Sequence, residues 1–262
     1  MNGRVIGKCK VAVKQGLWLL FALIVNYYPA WAAESVSGRV SQVINAKSFL
    51  LEDGKTVRLA SLQAPNVEDK RGRPGEPLGE VARAKLRQLI QGQQVRLEVE
   101  STDRHGHLVA QVYDTTQNRW IQEEMLGSGM AMVYSLFPDG KAKLPDMLAK
   151  EREARTGKRG LWNHPYFQII TPEGAVKHLN RFKLVEGRVR QISDKGGRIF
   201  LNFGDDWKTD FSCLISRGDR RAFKQMDLKA LEGKVIRVRG WVYSYNGPMI
   251  DLKWPGQLEI IE

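Results

Sequence analysis

Residues 94–100 alternate apolar and polar side chains, with Val95, Leu97 and Val99 set against Arg96, Glu98 and Glu100. A period of two places one set on each face of a half-buried strand. Just before it, Leu78, Val81, Leu86, Leu89 and Ile90 recur at helical spacing and stop at Gly92, which predicts a helix from about Pro77 to Gln91. From Val36 to about Trp162 the pattern therefore reads strand, strand, strand, helix, strand, strand and two short helices. Asn118 is placed to cap the first of these helices, which carries Ile121 and Met125. Pro145 suits the first turn of the second, a highly charged helix that ends at Gly157.

Residues 164–182 hold two prolines, two histidines and no sustained period, and read as a connector. From Lys183 the order repeats, with strands near 183–192, 198–203 and 209–216, a helix near 219–231, and strands near 234–243, 248–253 and 257–261. Both halves open alike, Gly38-Arg39-Val40-Ser41-Gln42-Val43 against Gly187-Arg188-Val189-Arg190-Gln191-Ile192. Five strands with a helix between the third and fourth is the plan of the oligonucleotide/oligosaccharide-binding (OB) barrel. The predicted fold is mainly β with helices, two tandem five-stranded OB barrels over residues 33–163 and 183–262.

The first 32 residues change the picture of where the chain works. Arg4, Lys8, Lys10 and Lys14 precede an apolar run from Leu17 to Val25, and Ala30-Trp31-Ala32 follows. That order predicts a signal peptide over residues 1–32, cleaved after Ala32, and an exported, secreted or periplasmic protein without stable membrane insertion. Removing four bases and no acids from 41 Lys and Arg against 29 Asp and Glu leaves 37 minus 29, or +8. Such a surplus favours an anionic partner, nucleic acid or another polyanion. Cys213 becomes the one remaining cysteine, so no intramolecular disulfide forms, and its alternation with Phe211 and Ile215 predicts a buried thiol. No Cys/His zinc spacing occurs.

Over about residues 36–163 the chain resembles the thermonuclease, or staphylococcal nuclease-like, family. The matching pieces are Val57-Arg58-Leu59 through Pro65, the turn Thr102-Asp103-Arg104-His105-Gly106-His107 with the strand after it, Met125-Leu126-Gly127-Ser128-Gly129-Met130-Ala131, and Arg159-Gly160-Leu161-Trp162. The resemblance implies a nuclease in which two aspartates help bind calcium, a glutamate is the base and two arginines grip phosphate. In this chain the two aspartate positions hold Lys47 and Gln63, the glutamate position Asn66 and the second arginine position His107; Arg58 alone matches. An ammonium repels a cation and an amide is no base near neutral pH. No catalytic set is intact, no metal ligand is assigned and calcium binding is expected to be lost. Arg58 remains either a phosphate clamp or an ordinary strand arginine, and Lys47 would supply charge where the metal is missing.

A second cation-rich strand lies near the C-terminus. Ile236, Val238, Gly240 and Val242 take one face of strand 234–243, leaving Arg237, Arg239, Trp241 and Tyr243 in a row on the other, with Tyr245 in the turn. Cations that track phosphates and rings that stack bases make this a candidate nucleic-acid face, together with Lys47 and Arg58. The opposing reading packs the same face against the first barrel. Three functions follow: a non-catalytic binder of nucleic acid or another polyanion, an active phosphodiesterase with a remodelled site (Glu68, Asp69, His105 and His107 being the groups available to rebuild it), or an envelope protein-interaction module.

Overall fold

The computed structural model describes residue 3 and residues 35–69, 72–134 and 143–262. The predicted signal peptide, and the Lys70-Arg71 step of the loop after Asp69, lie outside the described residues. Strands β1 (Ser35–Asn45), β2 (Ser48–Leu51) and β3 (Thr56–Leu59) form an antiparallel meander. A two-residue strand β4 (Leu62–Gln63) precedes helix α1 (Gly79–Ile90), and β5 (Gln94–Thr102) and β6 (Leu108–Asp114) follow. The five long strands close into a barrel in the order β1-β2-β3-β6-β5, with β3 and β6 parallel. Closure leaves no free sheet edge and gives one inward face, filled by residues including Phe49, Val57, Leu59, Val95, Leu97 and Val112.

Helix α1 closes one side of this core with Ala82, Leu86, Leu89 and Ile90. The buried stripe differs from the predicted one: Val81 is exposed, and Leu78 sits outside the helix at φ 63°. The cause is the loop before it, which folds back until a Cβ on Gly79 would lie 2.3 Å from the Asn66 carbonyl oxygen. Helix α2 (Ile121–Gly127) starts after Trp120, while Asn118 stands at φ 51° in the preceding turn and is not the cap. Strand β7 (Met132–Val133) pairs with β4, and α3 (Leu144–Thr156) has Pro145 in its first turn and Gly157 at its end.

Residues 164–182 do more than connect. Leu161 and Phe167 pack with Met132, Phe182 and Leu184 in one apolar cluster, and Ile170 bridges to Val185. Beyond them run β8 (Phe182–Arg188), β9 (Gln191–Lys195), β10 (Arg198–Asn202), β11 (Ser212–Ile215), β12 (Val235–Trp241), β13 (Tyr243–Ser244), β14 (Pro248–Asp251) and β15 (Leu258–Ile260). They form one sheet ordered β13-β14-β11-β10-β9 and another ordered β15-β12-β8. The strand predicted over 183–192 breaks at Val189 and Arg190, whose N–H groups turn to Lys234 and Asn202 carbonyls. The helix predicted near 219–231 is instead two 3-10 turns, Arg220–Phe223 and Lys229–Leu231. Asp227 accepts from the Ala230 N–H, a local bond that competes with helix continuation.

Residues from 35 onward belong to one compact unit. Trp254, from the second half, is buried in the first barrel's cluster beside Leu144 and Met147. No helix among the described residues is long and apolar enough to cross a membrane.

Candidate nucleic-acid interface

Arg58 leaves β3 on its outer face, because Val57 and Leu59 on either side point into the barrel. It stands between Ser48 of β2 and Val109 of β6. No hydrogen bond or ion pair engages its guanidinium among the described residues. It lines a cleft of about 410 Å³ with Ser61, Thr102, Arg104, His105 and Tyr134 among its other walls. The chain leaves β3 through Ser61, at φ 58°, and this turn sends β4 back towards the same face.

Lys47 occupies the tight turn between β1 and β2. Its Nζ donates to Gln63 Oε1 at 3.3 Å, so the two positions where the family resemblance implies aspartates are bonded to each other. Gln63 is buried, and its amide nitrogen donates to the Ala64 carbonyl at 3.2 Å. Burial first, and the Arg58 charge second, push the Lys47 ammonium down to about 8, with Glu76 opposing them. Lys47 therefore exists in both protonation states near neutral pH.

Asn66 is tied to Glu76: its backbone N–H and side-chain amide both donate to Glu76 Oε2, at 2.9 and 2.8 Å. The other oxygen of Glu76 accepts from the Tyr166 hydroxyl at 3.0 Å. Lys183 of β8, only 3% exposed, donates to the Tyr166 carbonyl, and burial, then Arg181, lower its ammonium against the pull of Glu76. Arg181 and Lys183 both lie over the Tyr166 ring, at 5.1 and 5.0 Å. Tyr134 is pushed up to about 12, by burial first and then by Asp251.

His107 is held in the β5–β6 turn. Its backbone N–H and Nδ1 lie 3.0 and 3.1 Å from the two carboxylate oxygens of Asp103, and it does not line the cleft. Arg104 does, so the turn supplies a guanidinium from a position that sequence reading treated as framework. Sequence reading also missed Glu76, Tyr166, Arg181 and Lys183. The glycines near Glu76 were the available signal, since Gly75 and Gly79 approach the Glu68 and Asn66 backbone too closely for a side chain. Glu68 and Asp69 border a different cavity, with Arg73, Arg83 and Arg87.

The second expected face does not stand as a row. Alternation along β12 is as predicted, with Ile236, Val238 and Val242 in the core. Arg239, however, is 1% exposed, donating to Glu151 Oε2 at 2.9 Å, to the Val133 carbonyl at 3.1 Å and to Glu259. Arg237 is engaged by Glu186 and by Glu259 at 3.4 Å. The guanidinium groups of both are therefore engaged by carboxylates of the protein itself, not arrayed with Trp241 as an open row. Tyr243 donates to Asp251 at 2.5 Å, and Trp241, 40% exposed, packs edge-on against Phe182. Tyr245 lines a cleft on the second-half sheet.

A closed five-stranded barrel with β3 and β6 parallel, a helix between its third and fourth long strands, and an outward arginine on β3 define the class. The chain belongs to the Staphylococcal nuclease homologue family, whose match covers residues 56–164. It is 32% identical over 155 residues to Protein ParB of Escherichia coli, covering 55% of this chain and 81% of that protein. It is 30% identical over 171 residues to Micrococcal nuclease of Shigella flexneri, covering 62% and 91% respectively. With Probable endonuclease LCL3 of Komagataella phaffii it shares 35% identity over 112 residues, 40% of this chain and 48% of that protein.

Proposed function

We propose that this protein is an exported, non-catalytic binder of nucleic acid or a related polyanion, which holds phosphate with side-chain cations on a nuclease barrel. The observation that carries the reading is the bond from Lys47 Nζ to Gln63 Oε1, which puts an ammonium beside the Arg58 guanidinium, unpaired among the described residues. Calcium binds about six to eight oxygen ligands rich in carboxylate. Glu76 has both oxygens engaged by Asn66 and Tyr166, with an ammonium close by, and the carboxylates on the Arg58 cleft, Glu100 and Asp103, are bonded to Gln111 and His107. Among the described residues no group of three or more His, Cys, Asp or Glu is placed to hold a metal. The donor set does not fit calcium.

Relatives named as nucleases direct the ligand towards nucleic acid, and the +8 charge after Ala32 favours the same class. Export rests on the charge and apolar order of residues 1–32. We also read residues 183–262 as a second OB-like barrel. In support, β11 and β14 pair in parallel as β3 and β6 do, and β8 pairs with β12 as β1 does with β5.

Binding of a fluorescent oligonucleotide followed in EDTA tests the proposal. Salt-sensitive binding that survives chelation and weakens in Arg58→Ala is expected; absence of binding at low ionic strength refutes it. A second reading, a remodelled phosphodiesterase, is favoured by the Glu76 carboxylate beside Asn66. Cleavage of DNA or RNA that disappears in Glu76→Gln would establish it. No cleavage with or without calcium would remove it.

A further inference from the structure

A cleft of about 210 Å³ opens on the sheet of the second half, far along the chain from Arg58. Its walls include Lys195, Arg198, Phe200, Trp207, Tyr245 and Asn246, and no carboxylate lines it. Trp207 and Tyr245 are 49% and 48% exposed, an unusual state for two large rings sharing one cleft. Cations surround the rings: Lys195 and Lys208 lie 5.1 and 5.8 Å from the Trp207 ring centre, and Arg198 lies 5.7 Å from that of Phe200.

The rings are held in place. Asp206 accepts from the Lys208 N–H at 3.0 Å and Asp210 accepts from the Asp206 N–H at 2.8 Å, which fixes the turn that carries Trp207. Gly247, at φ 97°, packs against the backbone of Thr209 and Asp210, seating the Tyr245 turn on the Trp207 loop. These bonds occupy Asp206 and Asp210, and Asp194 is paired with Arg220. At its floor the buried Asn202 accepts from Ser212 Oγ at 3.0 Å. Its amide nitrogen has no partner among the described residues and stands ready to donate.

We propose that this cleft binds a segment of single-stranded nucleic acid, with bases stacked on Trp207 and Tyr245 and phosphates on Lys195, Arg198 and Lys208. The proposal rests on the polyanion-binding reading above and gives that ligand a second contact point. Exposed rings bordered by cations fit a chain that alternates planar bases with phosphates. The cleft is below the roughly 300–1,000 Å³ of a small-molecule pocket, a size suited to a base or two of a passing strand. A neutral glycan would stack on the rings but leave the three cations unanswered.

The test is fluorescence anisotropy with a short fluorescein-labelled oligothymidylate and the signal-free protein at low salt, with heparin as a base-free polyanion. Trp207→Ala and Tyr245→Ala are each expected to weaken oligothymidylate binding by about 5- to 150-fold. Heparin binding should hold, and Trp207→Phe should restore most of the oligothymidylate affinity. Lys195→Gln with Arg198→Gln weakens both ligands. The substituted side chains are exposed, and an unchanged melting temperature confirms that the variants fold. Wild-type affinity in Trp207→Ala, with intact binding by the parent, overturns the cleft and leaves the broader reading standing. No oligothymidylate binding by the parent overturns both. Quenching of tryptophan emission by a neutral oligosaccharide but not by oligothymidylate overturns the nucleic-acid assignment.

Discussion

Arg239→Met should be among the most damaging single changes in the molecule. The guanidinium makes three bonds that cross between the halves or between strands, to Glu151, to the Val133 carbonyl and to Glu259. Burial alone would favour neutral groups, but Arg239, Arg155 and Arg237 together outweigh it and hold the Glu259 carboxyl below the usual range. Removing one member of a buried ion pair typically costs about 3–5 kcal/mol, because the partner charge stays buried without compensation. Three charge-assisted bonds taken separately would suggest more. Glu259 keeps Arg155 and Arg237 at 3.4 Å each, however, so the lower range applies. At about 2–4 °C per kcal/mol for a chain of this size, the melting temperature falls by about 6–20 °C. Circular-dichroism melts and urea titration measure it. Adding Glu151→Gln should recover part of the loss, since it deletes a buried charge left with only Arg155 at 3.5 Å yet keeps an acceptor for the Val133 N–H. A single variant melting within about 2 °C of the parent would refute the view that this network joins the halves.

Three further outcomes follow from shifted titrations. The folded value of Lys47, about 8, lies below its ordinary 10.5, so its positive charge is present below about pH 8 and lost above it. Oligonucleotide affinity should therefore fall as pH rises through about 8, and anisotropy titrations of Lys47→Met should lack that step. The same shift makes charged Lys47 a cost to folding that is fully present below about pH 8 and relieved as pH rises towards 10.5; urea titrations at the two ends should register the relief only in the parent. Cys213 is fully buried, and burial, then Asp251, raises its thiol well above the usual value. Its reaction with a disulfide reagent should proceed only at the rate of unfolding; fast labelling of native protein would contradict the burial.

The Arg239 network also bears on the Lys47 site. Val133 donates to Glu151 and accepts from Arg239, which pins β7; β7 pairs with β4, and β4 carries Gln63, the partner of Lys47. Damage at Arg239 should thus reach the Lys47–Gln63 bond through two strands. Each step is a direct hydrogen bond or ladder pair, which makes the coupling physical rather than a matter of proximity.

Local periodicity was enough for the strands of the first barrel, for α1 to within two residues at either end, and for the alternation along β12. Strand 94–100 was legible because its two faces meet different media, core and solvent, so the pattern of two is imposed at every position. The displacement of α1 and the loss of the helix near 219–231 were not legible, since a backbone fold-back onto Asn66 and a side-chain bond from Asp227 overrode propensity. That positions 47, 63 and 66 hold a lysine and two amides was plain in the sequence, as residue type alone carries that chemistry. Where the remaining charges go was not. Arg237 and Arg239 have the same alternation as a binding face, and only the packing of β12 against β8, β15 and α3 decided that they meet glutamates. Glu76, Lys183 and Trp207 come to their sites through contacts between segments distant in the chain. A pattern of polarity says which side of a strand leaves the core; the tertiary structure alone determines whether water or another part of the protein waits there.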